Sequence, residues 1–367
     1  MTATEPGDSS KLHRALNVAA IGSVANMAIG VVSALVISRV YGATILGAYA
    51  LTYIVVALLA QATSLCEQPA LVRLLAVEPE RGERGSGLVL ATMTLSYGLT
   101  LLAGPVVAGG TAYYLTHAAH LPDAVAPMVC LVFGFVFMDK LSWNLDGVLS
   151  AYRAAGRLAV ANLLNSSILA TAAIVLALLD KSLWSLTIAS LISSAVALAF
   201  RLWAVRPYLR WRVPRDAYRA GLRELPGMVR FGLRVLPGSF SQGMTIQSAL
   251  WVLGATVPVA AVGAFSRAQS ITVKIGDLNY RLAAVIYPSL VRRAHIDDGG
   301  KSFVADVVTS LGRTFVPLLL VLCGAAGASH TIISLFGADF LSAADSLAIL
   351  LIATGISTAT MIFGEAL

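Results

Sequence analysis

Apolar residues run along this chain in blocks of about twenty or more, separated by short stretches rich in arginine, proline and glycine. The blocks show no period-two alternation of the kind a membrane strand carries, and their length matches a helix crossing the hydrocarbon core, about 20 residues at about 1.5 Å each. About ten spans are predicted, at roughly 15–38, 45–66, 87–115, 125–148, 158–179, 183–204, 230–253, 259–286, 308–334 and 343–364. Lipid offers the backbone no hydrogen-bond partners, so each crossing must satisfy its own N–H and C=O groups. The fold class is therefore all-α, a polytopic membrane protein.

Composition agrees. The 367 residues are 57% hydrophobic and 12% charged, with mean hydropathy +0.80, against about a quarter charged in soluble domains. Cys66, Cys130 and Cys323 all fall in apolar runs with no metal or disulfide spacing and are expected to pack in the core. The first apolar run, Ala15 to Ser38, is longer than a cleavable signal's core and reads as a retained span.

Charge then sets orientation. Lys11, Arg14, Arg73, Arg81, Arg84, Arg153, Arg157, the arginines of 206–223 and Arg292, Arg293 and Lys301 lie on one side, while the opposite loops hold little beyond Arg39 and Lys181. Basic loops stay cytoplasmic, which places the amino terminus there. Residues 206–223, RPYLRWRVPRDAYRAGLR, carry six arginines and one acid. They read either as a basic interfacial helix against anionic membrane lipids or an anionic substrate, or as a positive-inside linker between two halves. Nucleic acid is a poor partner for so short a segment tethered to the membrane.

A weak repeat favours two halves. YGATILGAY (41–49) is echoed by LGATVPVAAVGAF (253–265), and PALVRLLA from Pro69 by PSLVRRA from Pro288, in the same order. Six spans separate the copies, so the repeat is parallel and predicts two pseudo-symmetric helical bundles around a central cavity. The expected organisation is an N-terminal six-helix bundle over 1–205, a basic cytoplasmic linker over 206–229 and a C-terminal bundle of four helices over 230–367. The second half then stops two spans short of the first.

Ionisable groups inside spans are costly, about 2.5–3.5 kcal/mol for Arg or Lys on insertion scales, and so point to function. In span eight, FSRAQSITVKIGDLNYRL, Arg267, Lys274 and Arg281 are spaced by seven and share a face. Asp277 lies within reach of Lys274 and Arg281; it either neutralises Lys274 in the bundle core or serves as an ion-coupling acid. Asp139, Lys140, Asn144 and Asp146 fall toward the cytoplasmic end of span four, where interfacial water is the simpler reason for their presence; Asp139 and Asp146 share a face by the same spacing. Lys140 is a further substrate-binding candidate, Asp139 and Asp146 further ion-coupling candidates. Arg39 closes span one at the outer surface, as a substrate contact or an anchor. The histidines show no HExxH or similar spacing and no phosphate-binding glycine loop occurs, so no enzyme, cofactor or metal signature emerges. A membrane-embedded glycan polymerase or ligase would need outer-loop residues such as His117, His120 or Asp123.

SRVYGATILGAYALTYIVVALLAQ, VGAFSRAQSI, IYPSL and LFGADFLSAADSLAIL resemble, in that order, segments of the polysaccharide transporters and flippases of the multidrug/oligosaccharidyl-lipid/polysaccharide exporter superfamily. That resemblance implies 12 or 14 helices in two bundles and a multi-pass protein of the bacterial cytoplasmic (inner) membrane. It implies a flippase that carries a lipid-linked (undecaprenyl pyrophosphate) oligosaccharide to the outer leaflet by alternating access, for lipopolysaccharide or another exported polysaccharide, working beside glycosyltransferases and a polysaccharide polymerase. Arg267 and Lys274 would hold the pyrophosphate, with Arg39 near the outer mouth. A lipid II flippase or a cation-coupled drug exporter of the same superfamily are the alternatives; span one lacks the acid that drug exporters often use.

Overall fold

The computed structural model describes residues 6–63, 71–72, 74–75, 82–152, 154–275, 316 and 319–366, and all regular structure among them is helical. Helix α1 (Pro6–Thr63) is broken at Gly42, whose φ of 74° and ψ of 171° interrupt the helical ladder. Glycine is the residue that takes such a backbone without a Cβ penalty. The break falls where the sequence separates spans one and two, and residues 43–63 beyond it are about 31 Å long, close to one hydrocarbon thickness.

The other long elements are α2 (Glu83–His117), α3 (Pro122–Ala151), α4 (Ala155–Leu179), α5 (Leu183–Val205), α6 (Arg215–Thr256), α7 (residues 259–275) and α8 (Ala344–Ala366). Six stretches among the described residues are long and apolar enough to cross a membrane: Ala28–Thr63, Glu83–His117, Pro122–Ala151, Gly156–Leu179, Leu183–Val205 and Ala338–Ser357. The first holds parts of expected spans one and two, and the last matches span ten. Span seven is the second part of α6, which begins at Arg215 and so joins the basic segment to the span in one continuous helix. Spans eight and nine are described only in part.

One compact unit comprises Met1–Tyr41 and Ala48–Val257. Its core gathers Leu88 and Met93 of α2, Leu145 and Val148 of α3, Val205 of α5 and Met228 of α6. α1 is tied to α4 by the Tyr41 hydroxyl, which donates to the Ala173 carbonyl at 2.7 Å, and by Ser166 to Asn26 at 2.8 Å. α2 and α6 approach backbone to backbone: a Cβ on Gly87 would overlap the Ala217 carbonyl, and one on Gly221 would come within 2.6 Å of the Gly87 oxygen. Ala217, Gly221 and Met228 thus form the buried face of α6, while Arg215, Arg219 and Arg223 stand exposed at four-residue spacing on another.

The second unit comprises Gly42–Gly47 and Pro258–Leu367. Gly47 and Gly263, the two glycines that echo each other in the repeat, are direct neighbours: a Cβ on Gly47 would overlap the Val259 carbonyl, and one on Gly263 the Ala43 carbonyl. Phe336, Phe340, Leu347 and Leu351 are buried around the turn into α8. Cys323, expected in the core, is exposed instead.

Filling these glycine contacts costs about 1–3 kcal/mol by forced backbone movement. Gly87→Ala and Gly263→Ala are each expected to lower the melting temperature of the detergent-purified protein. Gly104→Ala, at a helical position with open space around it, is expected to leave it equal or raise it.

Candidate functional site: a polar cavity in the first unit

The middle of α3 departs from α-helical geometry. Residues Phe135–Asp139 form one π-helical turn between Val125–Gly134 and Lys140–Ala151, a wider turn that often marks functional sites. It ends at Asp139, which lines a cavity of about 270 Å³ within this unit. Adjacent residues on a helix point about 100° apart, so Lys140 turns away from the cavity into the protein, where it is 1% exposed.

Four helices wall the cavity. From α1 come Tyr49 and Tyr53, one turn apart with rings stacked at 5.8 Å. α3 supplies Asp139, Phe135 and Trp143, the two rings meeting edge to face at 5.8 Å. α4 contributes Asn165, and α5 contributes Ser190, Ser193 and Ser194. The Tyr49 and Ser190 hydroxyls hydrogen-bond at 2.5 Å, and Ser193 donates to the Ser190 carbonyl at 2.9 Å. Asp139 faces the Ser194 hydroxyl and the positive charge of Arg201. The Asn165 Oδ1 is buried with no donor among the described residues.

Beside this layer lies a buried ion pair. Arg201 donates from Nε to Asp146 Oδ1 at 2.7 Å and from Nη2 to Oδ2 at 3.1 Å, and Nη2 also reaches Asn162 Oδ1 at 2.9 Å. Such a fork-on-carboxylate pair is geometrically specific and strong. Lys140 Nζ donates to the Thr63 carbonyl at 3.0 Å and its hydroxyl at 3.3 Å, and Asn144 bonds the Lys140 carbonyl at 3.1 Å.

The expected site residues thus separate. Asp139 and Asp146 do share a face, toward Arg201. Interfacial solvation does not account for this stretch: Lys140, Asn144 and Asp146 are buried, and their partners are protein groups. Arg39 is exposed on α1, three residues before the break. Arg267 is half-buried and Lys274 exposed on α7. Asp277 and Arg281 lie outside the described residues, as do Pro69 and Pro288 of the repeat. His117, His120 and Asp123 are exposed, with His117 stacked on Tyr113 at 4.4 Å. No group of three metal-ligating side chains occurs among the described residues. Arg201, Asn162, Asn165 and Tyr53 went unremarked in the sequence, although Arg201 in the apolar run LAFRLWAV is the same kind of anomaly as Arg267.

Over residues 150–345, more than half its length, the chain matches the family model described as polysaccharide biosynthesis protein. It belongs to that family. The match begins at the end of α3 and reaches the first residues of α8, so it takes in the Asn162, Asn165, Ser194 and Arg201 positions as well as Arg267 and Lys274. No curated protein and no solved structure matches the chain. For this polysaccharide biosynthesis protein, the apolar helices of membrane-crossing length agree with a multi-pass membrane protein taking part in polysaccharide export.

Removing one member of a buried pair strands the other, at about 3–5 kcal/mol. Asp146→Ala is therefore expected to cut the yield of folded protein and its melting temperature sharply. Replacing both partners together, Asp146→Leu with Arg201→Met, should restore most of the loss in the same thermal measurement.

Proposed function

We propose that this protein is a flippase that moves a lipid-linked oligosaccharide, carried on undecaprenyl pyrophosphate, across the bacterial cytoplasmic membrane by alternating access. The observation that carries the reading is the pairing of a polysaccharide biosynthesis family with helices of membrane-crossing length, four of which enclose a cavity of hydroxyl, amide, carboxylate and aromatic groups. An apolar bundle gains nothing from such groups at membrane depth unless they meet a polar solute, since each unpaired one is costly there.

The anionic part of the substrate has its own requirement. A diphosphate leaving water must exchange its hydration for charge-assisted hydrogen bonds, and Arg267 and Lys274, about 10 Å apart along α7, are the residues proposed to supply them. Arg39 meets the substrate near the outer mouth. The exposed arginines of α6, Arg215, Arg219 and Arg223, rest against anionic lipid headgroups on the inner face, with the glycosyltransferases and polymerase of the same polysaccharide as working partners. The chain moves its substrate and does not react with it.

Each charge-assisted bond is worth about 1.5–3 kcal/mol, so Arg267→Ala with Lys274→Ala is expected to reduce surface polysaccharide by tenfold or more in cells, at normal protein level, with lipid-linked precursor accumulating. Normal display in that variant overturns the assignment of these two residues. Loss of display on changing His117 and His120 to alanine instead, without precursor build-up on the inner leaflet, replaces the flippase with an enzyme.

A further inference from the structure

The cavity of the first unit has a donor and acceptor balance that its own side chains do not close. Tyr49 and Ser190 satisfy each other, the Ser193 hydroxyl is taken by the Ser190 carbonyl, and the Ser194 hydroxyl faces Asp139. Acceptor capacity remains beside them. Asn165 Oδ1 is buried with no donor among the described residues, and a carboxylate has about four lone-pair sites, more than the Ser194 hydroxyl fills. A ligand that completes this site must bring hydrogen-bond donors.

The other wall asks for something different. Tyr53 and Trp143 line the cavity with aromatic rings and are 41% and 44% exposed. An aromatic face carries negative potential and attracts weakly positive C–H edges. Donor hydroxyls on one side and a C–H face on the other are the two surfaces of a pyranose ring. The volume of about 270 Å³ lies just below the range of small-molecule pockets, about 300–1,000 Å³, and suits one ring rather than a chain.

We propose that this cavity is a binding subsite for a single pyranose of the glycan, neutral or amino-substituted. This rests on the translocation reading above and assigns to the first unit the recognition of sugar, separate from the recognition of phosphate on α7. Asp139 and Asn165 accept hydrogen bonds from ring hydroxyls or an ammonium, and Tyr53 and Trp143 cover the C–H face. The Asp139 carboxylate discriminates against a uronic acid, whose own carboxylate it would repel, the kind of like-charge contact by which sites reject a competitor.

The test uses the full chain in lipid nanodiscs, titrated with the methyl glycosides of a neutral hexose, an amino sugar and a uronic acid and followed by tryptophan fluorescence. Saturable binding of the neutral or amino sugar is expected, with the uronic acid at least tenfold weaker. Tyr53→Ala and Asn165→Ala should each weaken binding by about tenfold, about 1.4 kcal/mol, at an unchanged melting temperature, and Tyr53→Phe, which keeps the ring, should bind as the parent does. Asp139→Asn should bring the uronic acid level with the neutral sugar. Absence of a saturable response to any sugar overturns the subsite, as does equal binding in the Tyr53→Ala and Asn165→Ala proteins, or a response to sodium alone that Asp139→Asn removes. Binding by these rules in a protein whose Arg267 and Lys274 variant displays polysaccharide normally supports the subsite while defeating the phosphate assignment. The converse result, display lost on changing α7 and no sugar response, sinks the subsite alone.

Discussion

A guanidinium held between one carboxylate and one amide sets the geometry around it. Arg201 of α5 grips Asp146 of α3 and reaches Asn162 of α4, so three helices are fixed in rotation and height. Two parallel N–H donors tolerate little angular error, and a charge this deeply buried, 6% exposed, is too costly to leave unpaired. The cavity is laid out one step along the same helices. Asp139 precedes Asp146 by seven residues, Ser194 precedes Arg201 by seven, and Asn165 follows Asn162 by three. The ion pair thus acts as a foundation: it aligns three helices, and the groups on their next turns converge because their bases are clamped.

Most polar side chains in this bundle do no such work. Thr52, Thr100 and Thr187 each donate their hydroxyl to the carbonyl four residues back, which takes up the donor within their own helix. Against that background, groups that bond across helices, among them Tyr41, Tyr49, Tyr114 and Lys140, are the ones that specify packing. Asn165 Oδ1, which lines the cavity and finds no donor among the described residues, is the kind of group left for a solute.

Much of this was written in the chain as pattern. The spans now described as α2, α3, α4 and α5 lie within a few residues of the apolar runs, because hydropathy over about 20 residues is a local property. The division between spans one and two was legible at Tyr41-Gly42, where only a glycine allows the turn of φ. The common face of Asp139 and Asp146 was legible from their spacing alone. Their surroundings were not: whether an acid near a span end meets water or a buried arginine depends on which distant residue lands opposite, and nothing local in KLSWNLDG announces Arg201 fifty-five residues later. The π-turn was equally hidden, since a single wider turn leaves no mark on composition, and it decides that Asp139 lines the cavity while Lys140 is buried against Thr63.

Gly47 and Gly263 carry a different kind of information. They occupy matching places in the two copies of the repeat, and their backbones lie against each other. A contact made of main chain alone has no rotamers to rearrange when a neighbour changes, so neither copy can acquire a side chain there without displacing the other. A seam of bare backbone therefore holds these two positions to glycine, whatever changes around them.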